Sequence, residues 1–475
     1  MNAADRWVVL VTDPLAEDGL AVLSDESRFD VRVNTKAAGD ALHKEMADAH
    51  ALLVRSGTEV TAEVLAAGEK LKVVGRAGTG VDNIDVAAAT RRGIVVMNTP
   101  GGNSIAACEH TIALMLAVFR HVTAAAADLA EGRWNRKQFM GRQLEGKVLG
   151  LVGFGRIGRE VAARARSFGM EVLVSDPFVS DSLVREWEAK LVEFPELLAA
   201  ADVVSLHSPL TDETRNLMNE KALRSMKKGA VLINCARGGL VDEAALVTVL
   251  DDGHLSGAAL DVFAQEPPDV ALAAHPRIVC TPHLGASTEE AQRSVAAEIA
   301  HQVRSYLLDG EVRNAVNMPS LSAEVYEQVK PYLDLVERLG SMAGQIAGPP
   351  FKNAAVIFHG ENTLLPRAPV VSAALVGLLG SAKGGSVVNY VNARMAASEL
   401  GMEIEEKAVE ESGDQTGLVE VSVEGGTRAC TVAGWVTAAG KPRLARWEGL
   451  SVDAPPYGDI LVLCNPDVPG VVGAI

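Results

Sequence analysis

The chain has 475 residues, which is too many for one ordinary hydrophobic core and predicts two to four domains. Its 44 basic and 61 acidic residues give a formal net charge of -17, which argues against nucleic acid and against an anionic membrane surface as partners. Five cysteines without a CxxC pair, and no apolar run long enough for a membrane span, predict a cytoplasmic protein without a disulfide framework, metal site or membrane helix.

Up to about residue 310, short β-branched runs alternate with helical segments, a pattern typical of parallel sheets with helices on both faces. We predict one sheet before residue 100 and a second sheet after residue 145. A helical segment at 104–129 connects them, and another at 288–308 follows the last strand. The predicted strands are 7–12, 51–55, 72–76, 94–97, 148–152, 172–175, 203–207, 230–234, 258–262 and 278–281.

The region from 319 to 455 has a different character, because strands and helices alternate less and loop clusters such as GPPFKN and EESGDQTG interrupt it. We predict a separate α+β domain there. The final stretch, LVLCNPDVPGVVGAI, contains one predicted strand, a turn and the start of a helix.

The run KVLGLVGFGRIG at 147–158 has GxGxxG spacing between a predicted strand and a predicted helix. Gly153 permits a tight turn, Gly155 lets the backbone approach a pyrophosphate, and Gly158 lets the helix pack on the strand. The run therefore predicts a dinucleotide site at a helix N-terminus.

Asp176 ends the next strand, where a carboxylate accepts hydrogen bonds from ribose hydroxyls and repels a 2′-phosphate, which favours NAD over NADP. A turn cap is the structural alternative for this aspartate.

Three later strands of the same predicted sheet also end in polar side chains. CARGG carries Arg237, ALDVFAQEPP carries Asp261 and Glu266, and CTPHLGAST carries His283. Because ligands collect beyond the carboxyl ends of such strands, we expect these side chains to converge beside the cofactor. His283 can take a hydroxyl proton while hydride leaves the same carbon, and Glu266 can orient its ring. Arg237 can grip a substrate carboxylate with a forked hydrogen bond.

Each of these residues also has an ordinary structural alternative. On its own, His283 is compatible with a core histidine, Glu266 with a turn residue, and Arg237 with one half of an internal ion pair. Their joint position at the strand ends of one sheet, after a dinucleotide fingerprint, favours an active site that oxidises a 2-hydroxy acid.

Long runs up to about residue 318 resemble those of a known family, the D-isomer-specific 2-hydroxyacid dehydrogenases. The runs are VRSGTEVT, VVGRAGTGVDNIDV, NTPGGNSIAACEHTIALML, RKQFMG, LGLVGFGRIGREVA, NCARGGLVDEAAL, GAALDVFAQEPP and TPHLGAST. The resemblance implies two doubly wound parallel-sheet α/β domains: a Rossmann NAD-binding domain at 100–283, inserted in a flavodoxin-like substrate-binding domain at 1–99 and 284–318. It also implies an α+β intervening domain at 319–455 and the start of an incomplete ACT module at 456–475.

The resemblance implies a role for individual residues. Arg237, Glu266 and His283 are the implied catalytic residues. The implied NAD contacts, including the fingerprint glycines, are Thr79, Gly153, Gly155, Arg156, Ile157, Gly158, Asp176, Ser208, Cys235, Ala236, Asp261, Gly285 and Ala286, with Asp261 near the nicotinamide amide. The implied substrate-binding residues are Arg55, Ser56, Arg76, Gly78, Asn103 and Arg136.

Further basic residues favour a phosphorylated substrate. Such an acid carries two anionic groups, and Arg237 can hold only one of them. Arg55 and Arg76 end strands of the first domain, and Arg136 and Lys137 follow the connecting helix, although solvated surface residues are the alternative for these last two. A cationic cleft is needed to attract a multiply charged anion to a protein of this net charge. The run VVNYVNARMAASELGMEIEE resembles the longer family members and favours oxidation of 3-phospho-D-glycerate, the first step of phosphorylated L-serine biosynthesis.

The resemblance also implies an oligomer, because relatives dimerise through the NAD domain and assemble further as tetramers. The incomplete ACT module leads us to expect a form that is insensitive to serine. Two alternatives stay open. One is a dehydrogenase of an unphosphorylated 2-hydroxy acid, or a reductase of 2-oxoglutarate, and the other is a non-catalytic NADH-sensing scaffold like the corepressor relatives.

Overall fold

The computed structural model describes residues 6–319, 323–380, 388–410 and 417–462. Three sheets follow one another along the described chain. The first two are wholly parallel, and the third is mixed, so the predicted fold class is confirmed.

The first sheet has five parallel strands in the order β2-β1-β3-β4-β5, the strand order of a flavodoxin-like fold. Its strands are β1 (Trp7–Val11), β2 (Phe29–Val33), β3 (Ala51–Val54), β4 (Val73–Arg76) and β5 (Val95–Met97). The helices between them are α1 (Glu17–Ser24), α2 (Gly39–Met46), α3 (Ala62–Ala67) and α4 (Val86–Arg91). All four residues of β3 are buried, because a central parallel strand is covered on both faces. The prediction lacked β2, an edge strand in which charged and apolar residues alternate.

Two helices, rather than the single predicted helix, connect the first two sheets. They are α5 (Ser104–Arg120) and α6 (Val122–Ala130), and the chain bends by 63° between them. The break lies at His121, whose φ of 52° is left-handed and ends the regular helical hydrogen bonding. Within the described ranges, no single helix combines the length and apolarity needed to cross a membrane, and only this bent pair passes that test when its two helices are taken together.

The second sheet has seven parallel strands in the order β12-β11-β10-β9-β6-β7-β8. Its strands are β6 (Val148–Val152), β7 (Glu171–Ser175), β8 (Lys190–Leu191), β9 (Val203–Leu206), β10 (Val231–Asn234), β11 (Gly257–Leu260) and β12 (Ile278–Cys280). Its helices are α7 (Arg156–Ser167), α8 (Asp181–Glu186), α9 (Phe194–Ala200), α10 (Glu220–Ser225), α11 (Glu243–Asp251) and α12 (Val270–Ala273), with a 3-10 turn at Gly238–Leu240. The order reverses between β6 and β9, as in Rossmann domains, so a crevice forms outside their carboxyl ends. The prediction lacked the two-residue strand β8.

After the second sheet the chain returns to the first one. Helix α13 (Glu289–Asp309) packs against α1, β4 and β5. A Cβ on Gly19 would lie 2.5 Å from the backbone of Ala296, so α1 and α13 are in backbone contact. Ile299 and Val303 of α13 fill the space beside Gly75, and Ala315 bridges to Met97 at the end of β5. The first domain is thus completed by residues that follow the second sheet.

The third region is an α+β domain with a six-stranded sheet in the order β14-β13-β15-β16-β17-β18. Its strands are β13 (Asn353–His359), β14 (Glu403–Val409), β15 (Val419–Glu424), β16 (Ala429–Val436), β17 (Pro442–Trp447) and β18 (Leu450–Ala454). Its helices are α14 (Ala323–Ala347), α15 (Arg367–Gly380) and α16 (Ala393–Glu399), with a 3-10 turn at Gly360–Leu364. Helix α14 packs on α15 and on the sheet, and apolar residues of α14, α15 and the sheet form one buried cluster.

The third domain touches the first one directly. Asn389 Nδ2 donates to the carbonyl oxygen of Gly93 at 2.8 Å, and Val391 joins the buried cluster of the first domain. No strand is assigned between 456 and 462, the described part of the expected ACT module. The rest of that module, at 463–475, lies outside the described residues, so its predicted strand, turn and helix start stay predictions.

Candidate active site

The glycine fingerprint lies where β6 ends and α7 begins. Gly153 has a φ of 97°, which favours glycine, and a Cβ there would lie 2.7 Å from the carbonyl oxygen of His207. A Cβ on Gly158 would lie 2.5 Å from the carbonyl oxygen of Gly153. Gly155, in contrast, is exposed at the N-cap of α7, and a Cβ there would meet no atom within 4 Å. The amides at this helix N-terminus are therefore open to an anionic group, which fits a pyrophosphate.

Asp176 directly follows β7, beside the fingerprint turn. Its Oδ2 accepts a hydrogen bond from the N–H of Phe154 at 2.7 Å, and its Oδ1 accepts one from the N–H of Phe178 at 2.9 Å. The two amides fix the orientation of the carboxylate, which remains partly exposed. It caps a turn, as the structural alternative required, and the same geometry leaves lone pairs for two ribose hydroxyls.

His283 and Glu266 form a hydrogen-bonded pair. The Nδ1 atom of His283 lies 2.9 Å from Oε2 and 3.1 Å from Oε1 of Glu266. Because an ionised carboxylate only accepts hydrogen bonds, Nδ1 carries the hydrogen and Nε2 is left as an acceptor. The Oε1 atom also accepts from the N–H of Phe263 at 3.3 Å, which holds the carboxylate in place. Both side chains are close to half exposed, so a small substrate can reach them.

Arg237 follows β10 and reaches across to the first domain. Its Nε donates to Oδ2 of Asp82 at 3.0 Å, and its Nη1 donates to the carbonyl oxygen of Ala236 at 2.7 Å. The guanidinium packs so closely on Gly80 that a Cβ at that position would overlap with it. Arg237 therefore lies between the two parallel-sheet domains. A ligand bound in the cleft between these domains would lie within its reach.

Arg76 ends β4 and adds a second guanidinium to this cleft. Its Nε is buried and has no hydrogen-bond partner among the described residues. The pKa of Arg76 is lowered to about 10, mainly by burial and next by the positive charge of Arg237. The charge of Arg55 lowers this pKa further, and the charge of Asp82 opposes the shift. A buried cationic donor without a partner is costly, and an anionic ligand would remove that cost.

Loops that follow β3 and β4 are tied together around these arginines. The Oδ2 of Asp13 accepts from the N–H groups of Arg55 and Thr58 at 2.6 and 3.1 Å. Asn83 Nδ2 donates to the carbonyl oxygens of the same two residues, at 2.7 Å in both cases. The loop that carries Arg55 and the exposed Ser56 is therefore fastened both to β1 and to the loop after β4.

Asp261 is fully buried at the end of β11 and anchors the segment that carries His283. Its carboxylate accepts from Thr281 Oγ1 at 2.6 Å and from the N–H groups of Leu284 and Gly285 at 2.7 and 2.8 Å, and His110 Nε2 lies 3.1 Å away. Burial alone would raise the pKa of Asp261, but hydrogen bonds from His110, Thr281 and the two amides outweigh it and lower the pKa. Asp261 is thus an ionised carboxylate.

The remaining predicted residues lie around the same cleft, with one exception. Thr79 Oγ1 donates to Asn103 Oδ1 at 2.7 Å, just before α5 begins. Arg156 and Ile157 lie within the fingerprint, at the start of α7. Four further residues follow strands of the second sheet: Ser208, Cys235, Ala236 and Ala286. Gly78 lies against the guanidinium of Arg76. Arg136 is the exception, because it is exposed beyond α6 and forms no hydrogen bond or ion pair with other described residues.

Sequence reasoning missed Asp13, Asp82 and His110. Asp13 follows the buried strand β1, much as Asp176 follows β7, so the same strand-end rule could have found it. Asp82 and His110 are different, because their partners Arg237 and Asp261 are distant in the sequence. No local pattern reports such a contact.

Two family models match the chain. The NAD-binding domain of the D-isomer specific 2-hydroxyacid dehydrogenases matches residues 112–285, and the D-3-phosphoglycerate dehydrogenase intervening domain matches residues 328–447. Among curated proteins, the D-3-phosphoglycerate dehydrogenase of Synechocystis is 41% identical over 98% of this chain and 84% of its own length. That of Bacillus subtilis is 39% identical over 98% of this chain and 88% of its own length.

Solved structures match about two thirds of the chain. The TT0316 protein of Thermus thermophilus is 38% identical, with a TM-score of 0.60 over 65% of this chain and 99% of that chain. The D-lactate dehydrogenase of Aquifex aeolicus, solved with NAD and lactic acid, is 28% identical, with a TM-score of 0.59 over 66% of this chain and 100% of that chain.

Proposed function

Because the chain belongs to the D-3-phosphoglycerate dehydrogenases of the D-isomer-specific 2-hydroxyacid dehydrogenase family, we propose that it oxidises 3-phospho-D-glycerate to 3-phosphooxypyruvate with NAD. This reaction is the first step of phosphorylated L-serine biosynthesis. The observation that carries the choice of substrate is the cluster of Arg55, Arg76 and Arg237 at the domain cleft, with one buried guanidinium nitrogen left unpaired.

The substrate anions divide between these arginines. Arg237 uses Nε for Asp82 and Nη1 for a backbone carbonyl, which leaves its remaining N–H groups for the substrate carboxylate. Arg76 and Arg55 hold the phosphate, and their mutual repulsion with Arg237 is relieved when it binds. A substrate without a phosphate would leave Arg76 unmatched.

His283 is the base. Its Nδ1 hydrogen is held by Glu266, so Nε2 takes the proton of the C2 hydroxyl. The negative charge of Glu266 then stabilises the imidazolium that forms. NAD, when bound, accepts the hydride that leaves C2. In the reverse direction, His283 returns its proton to the carbonyl oxygen of the 2-oxo acid.

The residues present fit the dinucleotide. The open Gly155 and the amides of α7 suit its pyrophosphate, and Asp176 suits an unphosphorylated adenosine ribose. The predicted contacts at Ser208, Cys235, Ala236 and Gly285 stay proposals. Burial raises the pKa of Cys235 to about 12, so its thiol stays uncharged and lines the site without acting as a nucleophile.

We propose a homo-oligomer in the cytoplasm. Large apolar side chains are exposed along α5, α6 and the loop after them, most of all Trp134 at 75% and Met140 at 79%. A second copy of the chain would cover this apolar surface. Light scattering of the wild type and of Trp134→Ser tests the assembly, and a wild type that is monomeric at micromolar concentration would contradict it.

The free thiols of Cys108, Cys235, Cys280 and Cys430 suit a reducing compartment, which supports the proposed location in the cytoplasm.

The function is tested by the rate of NADH formation with 3-phospho-D-glycerate, D-glycerate, D-lactate and 2-hydroxyglutarate. We expect the phosphorylated acid to be preferred, and His283→Ala to bind NADH yet lose at least about a hundredfold in kcat. Arg76→Ala should lower kcat/KM for the phosphorylated acid by about a hundredfold and for D-glycerate by less than about threefold. Arg185→Ala, which removes an exposed arginine of α8, is the matched control.

The alternatives make different predictions in the same assay. Equal loss with both substrates would make Arg76 a structural residue, and preference for an unphosphorylated acid would identify another 2-hydroxyacid dehydrogenase. NADH binding without turnover of any of these acids would instead favour a sensing scaffold.

A further inference from the structure

Helix α5 places a histidine against the buried carboxylate beneath the catalytic segment. We propose that His110 is a positioning residue, which orders the segment 281–285 and thereby His283 through its hydrogen bond to Asp261. The inference deepens the proposed function, because it assigns to that active site a residue that touches neither substrate nor base. It rests on contacts among side chains and backbone groups of three different elements.

The other contacts of His110 Nε2 determine the direction of its hydrogen bond. His110 Nε2 lies 3.1 Å from Oδ1 of Asp261 and 3.0 Å from Oγ1 of Thr281. The Thr281 hydroxyl donates its hydrogen to the same Oδ1 atom at 2.6 Å, so the hydroxyl oxygen can only accept a hydrogen bond from the histidine. Nε2 therefore faces two acceptors and must carry a hydrogen. His110 is the donor in this cluster.

Backbone hydrogen bonds connect the Asp261 carboxylate to the segment that carries the base. The N–H groups of Leu284 and Gly285, directly after His283, both donate to the Asp261 carboxylate. The N–H of His283 itself donates to the carbonyl oxygens of Asp261 and Thr281, at 2.9 and 3.0 Å. Asp261 therefore holds the backbone on both sides of the catalytic side chain.

The backbone of His283 needs such support. Its φ of 55° lies in the left-handed region, which costs a non-glycine residue free energy. In this conformation the ring meets Glu266 and the following amides meet Asp261. Loss of one donor from a buried carboxylate weakens the whole anchor, because the charge is then incompletely solvated.

The same helix also reaches the substrate side of the cleft. Asn103, the N-cap residue of α5, accepts from Thr79 in the loop that follows β4. His110 lies about two helical turns further along. Helix α5 therefore connects the loop beside the arginine cluster to the segment that carries the base.

The experiment compares His110→Leu, which removes the donor, with His110→Gln, whose amide nitrogen can replace Nε2. His301→Leu, an exposed histidine of α13, is the matched control. In His110→Leu we expect kcat for 3-phospho-D-glycerate to fall about tenfold or more while its KM stays within about twofold, because the arginines are untouched. Hydrogen exchange of the amides of 281–285, measured by mass spectrometry without substrate or cofactor, should accelerate about tenfold. His110→Gln should recover most of both losses.

The two readouts separate the possible failures. If the wild type oxidises none of the acids tested, the proposed function fails, while amide exchange still tests the positioning role. Wild-type exchange in His110→Leu, or glutamine no better than leucine, would overturn the inference. Should His110→Leu not fold, Thr281→Val removes another donor from Asp261 and must accelerate exchange in the same segment if the inference is correct.

Discussion

Arg237 donates its Nε hydrogen to Asp82, a residue 155 positions earlier in the chain, at 3.0 Å. The pair joins the two parallel-sheet domains across the cleft, because Asp82 follows β4 and Arg237 follows β10. Asp82 also opposes the fall in the pKa of Arg76 that burial and Arg237 cause. One carboxylate therefore orients Arg237, the arginine that we propose binds the substrate carboxylate, and lies close enough to Arg76 to offset part of the repulsion between the two arginines.

Asp82→Asn is expected to lower kcat/KM for 3-phospho-D-glycerate by about tenfold. A charge-assisted hydrogen bond of this kind contributes about 2 kcal/mol, part of which the asparagine oxygen retains. The loss should appear with D-glycerate as well, since the substrate carboxylate is common to both acids. Steady-state kinetics with the two substrates measure it. Asp181→Asn, on the exposed helix α8, should have no effect, and a loss confined to the phosphorylated acid would contradict the assignment.

Replacement by alanine is expected to have different effects at Gly155 and Gly158, on NADH affinity at the first and on folding stability at the second. In Gly155→Ala the new methyl group meets no atom within 4 Å, so the fold should keep its stability while the affinity for NADH falls about tenfold or more. In Gly158→Ala the methyl group lies 2.5 Å from the carbonyl oxygen of Gly153, and overpacking should cost about 1–3 kcal/mol of folding free energy.

Thermal unfolding with and without NADH distinguishes these two outcomes, because a ligand raises Tm only when it binds the folded state. Gly155→Ala should have the wild-type Tm without ligand and a smaller rise with it. Gly158→Ala should already unfold at a lower temperature without ligand. The reverse order would mean that the pyrophosphate does not lie against Gly155.

Asp176→Asn is expected to relax the preference for NAD. The asparagine keeps one oxygen for the amides of Phe154 and Phe178 but no longer repels a 2′-phosphate. The ratio of kcat/KM for NAD to that for NADP should fall by about tenfold to a hundredfold. Kinetics with both cofactors at constant salt measure this ratio. An unchanged ratio would leave Asp176 with the turn-capping role alone.

The stability of the NAD domain should depend on His207 below neutral pH. Burial lowers the pKa of His207 from 6.5 to about 4, and its Nε2 lies 2.9 Å from Ser205 Oγ. The unfolded chain therefore binds a proton at a pH where the folded chain does not, so stability is full above pH 6.5 and falls as the pH approaches 4. From pH 7 to pH 5 this one group should remove about 2 kcal/mol.

Urea unfolding of the wild type and His207→Gln at pH 7 and pH 5 isolates that contribution. The difference in unfolding free energy between the two pH values should be smaller in the variant, since glutamine does not titrate there. His301→Gln should behave as the wild type. If all three proteins lose the same free energy, His207 is not the group responsible.

The alternation of apolar runs and turns was enough to predict most strands, because the central strands of parallel sheets are buried on both faces. All four residues of β9 and of β10 are buried, and both strands were predicted within two residues. The charged edge strand β2 and the two-residue strand β8 lack such a run. The bend at His121 was also missed, because nothing in the composition of α5 and α6 forbids one continuous helix.

The candidate site divides in the same way. His283, Glu266 and Asp176 were predicted because each follows a recognisable strand, and strand ends of one sheet meet at one edge. Asp82 and His110 act through partners on other elements, so their roles emerge only when the chain is folded. The exposed position of Arg136 depends on how the chain continues after α6, which a local pattern does not determine.

The return of α13 to the first sheet has a consequence for synthesis of the chain. Strand β1 starts at Trp7, but the helix that covers Gly75 ends at Asp309, so the emerging polypeptide exposes that apolar face until about 300 residues have left the ribosome. At roughly 5–20 residues per second this takes on the order of 15–60 s. The strands of the second sheet form one continuous stretch of sequence, so this sheet can fold first. The second domain therefore folds before the first domain receives its last helix, α13.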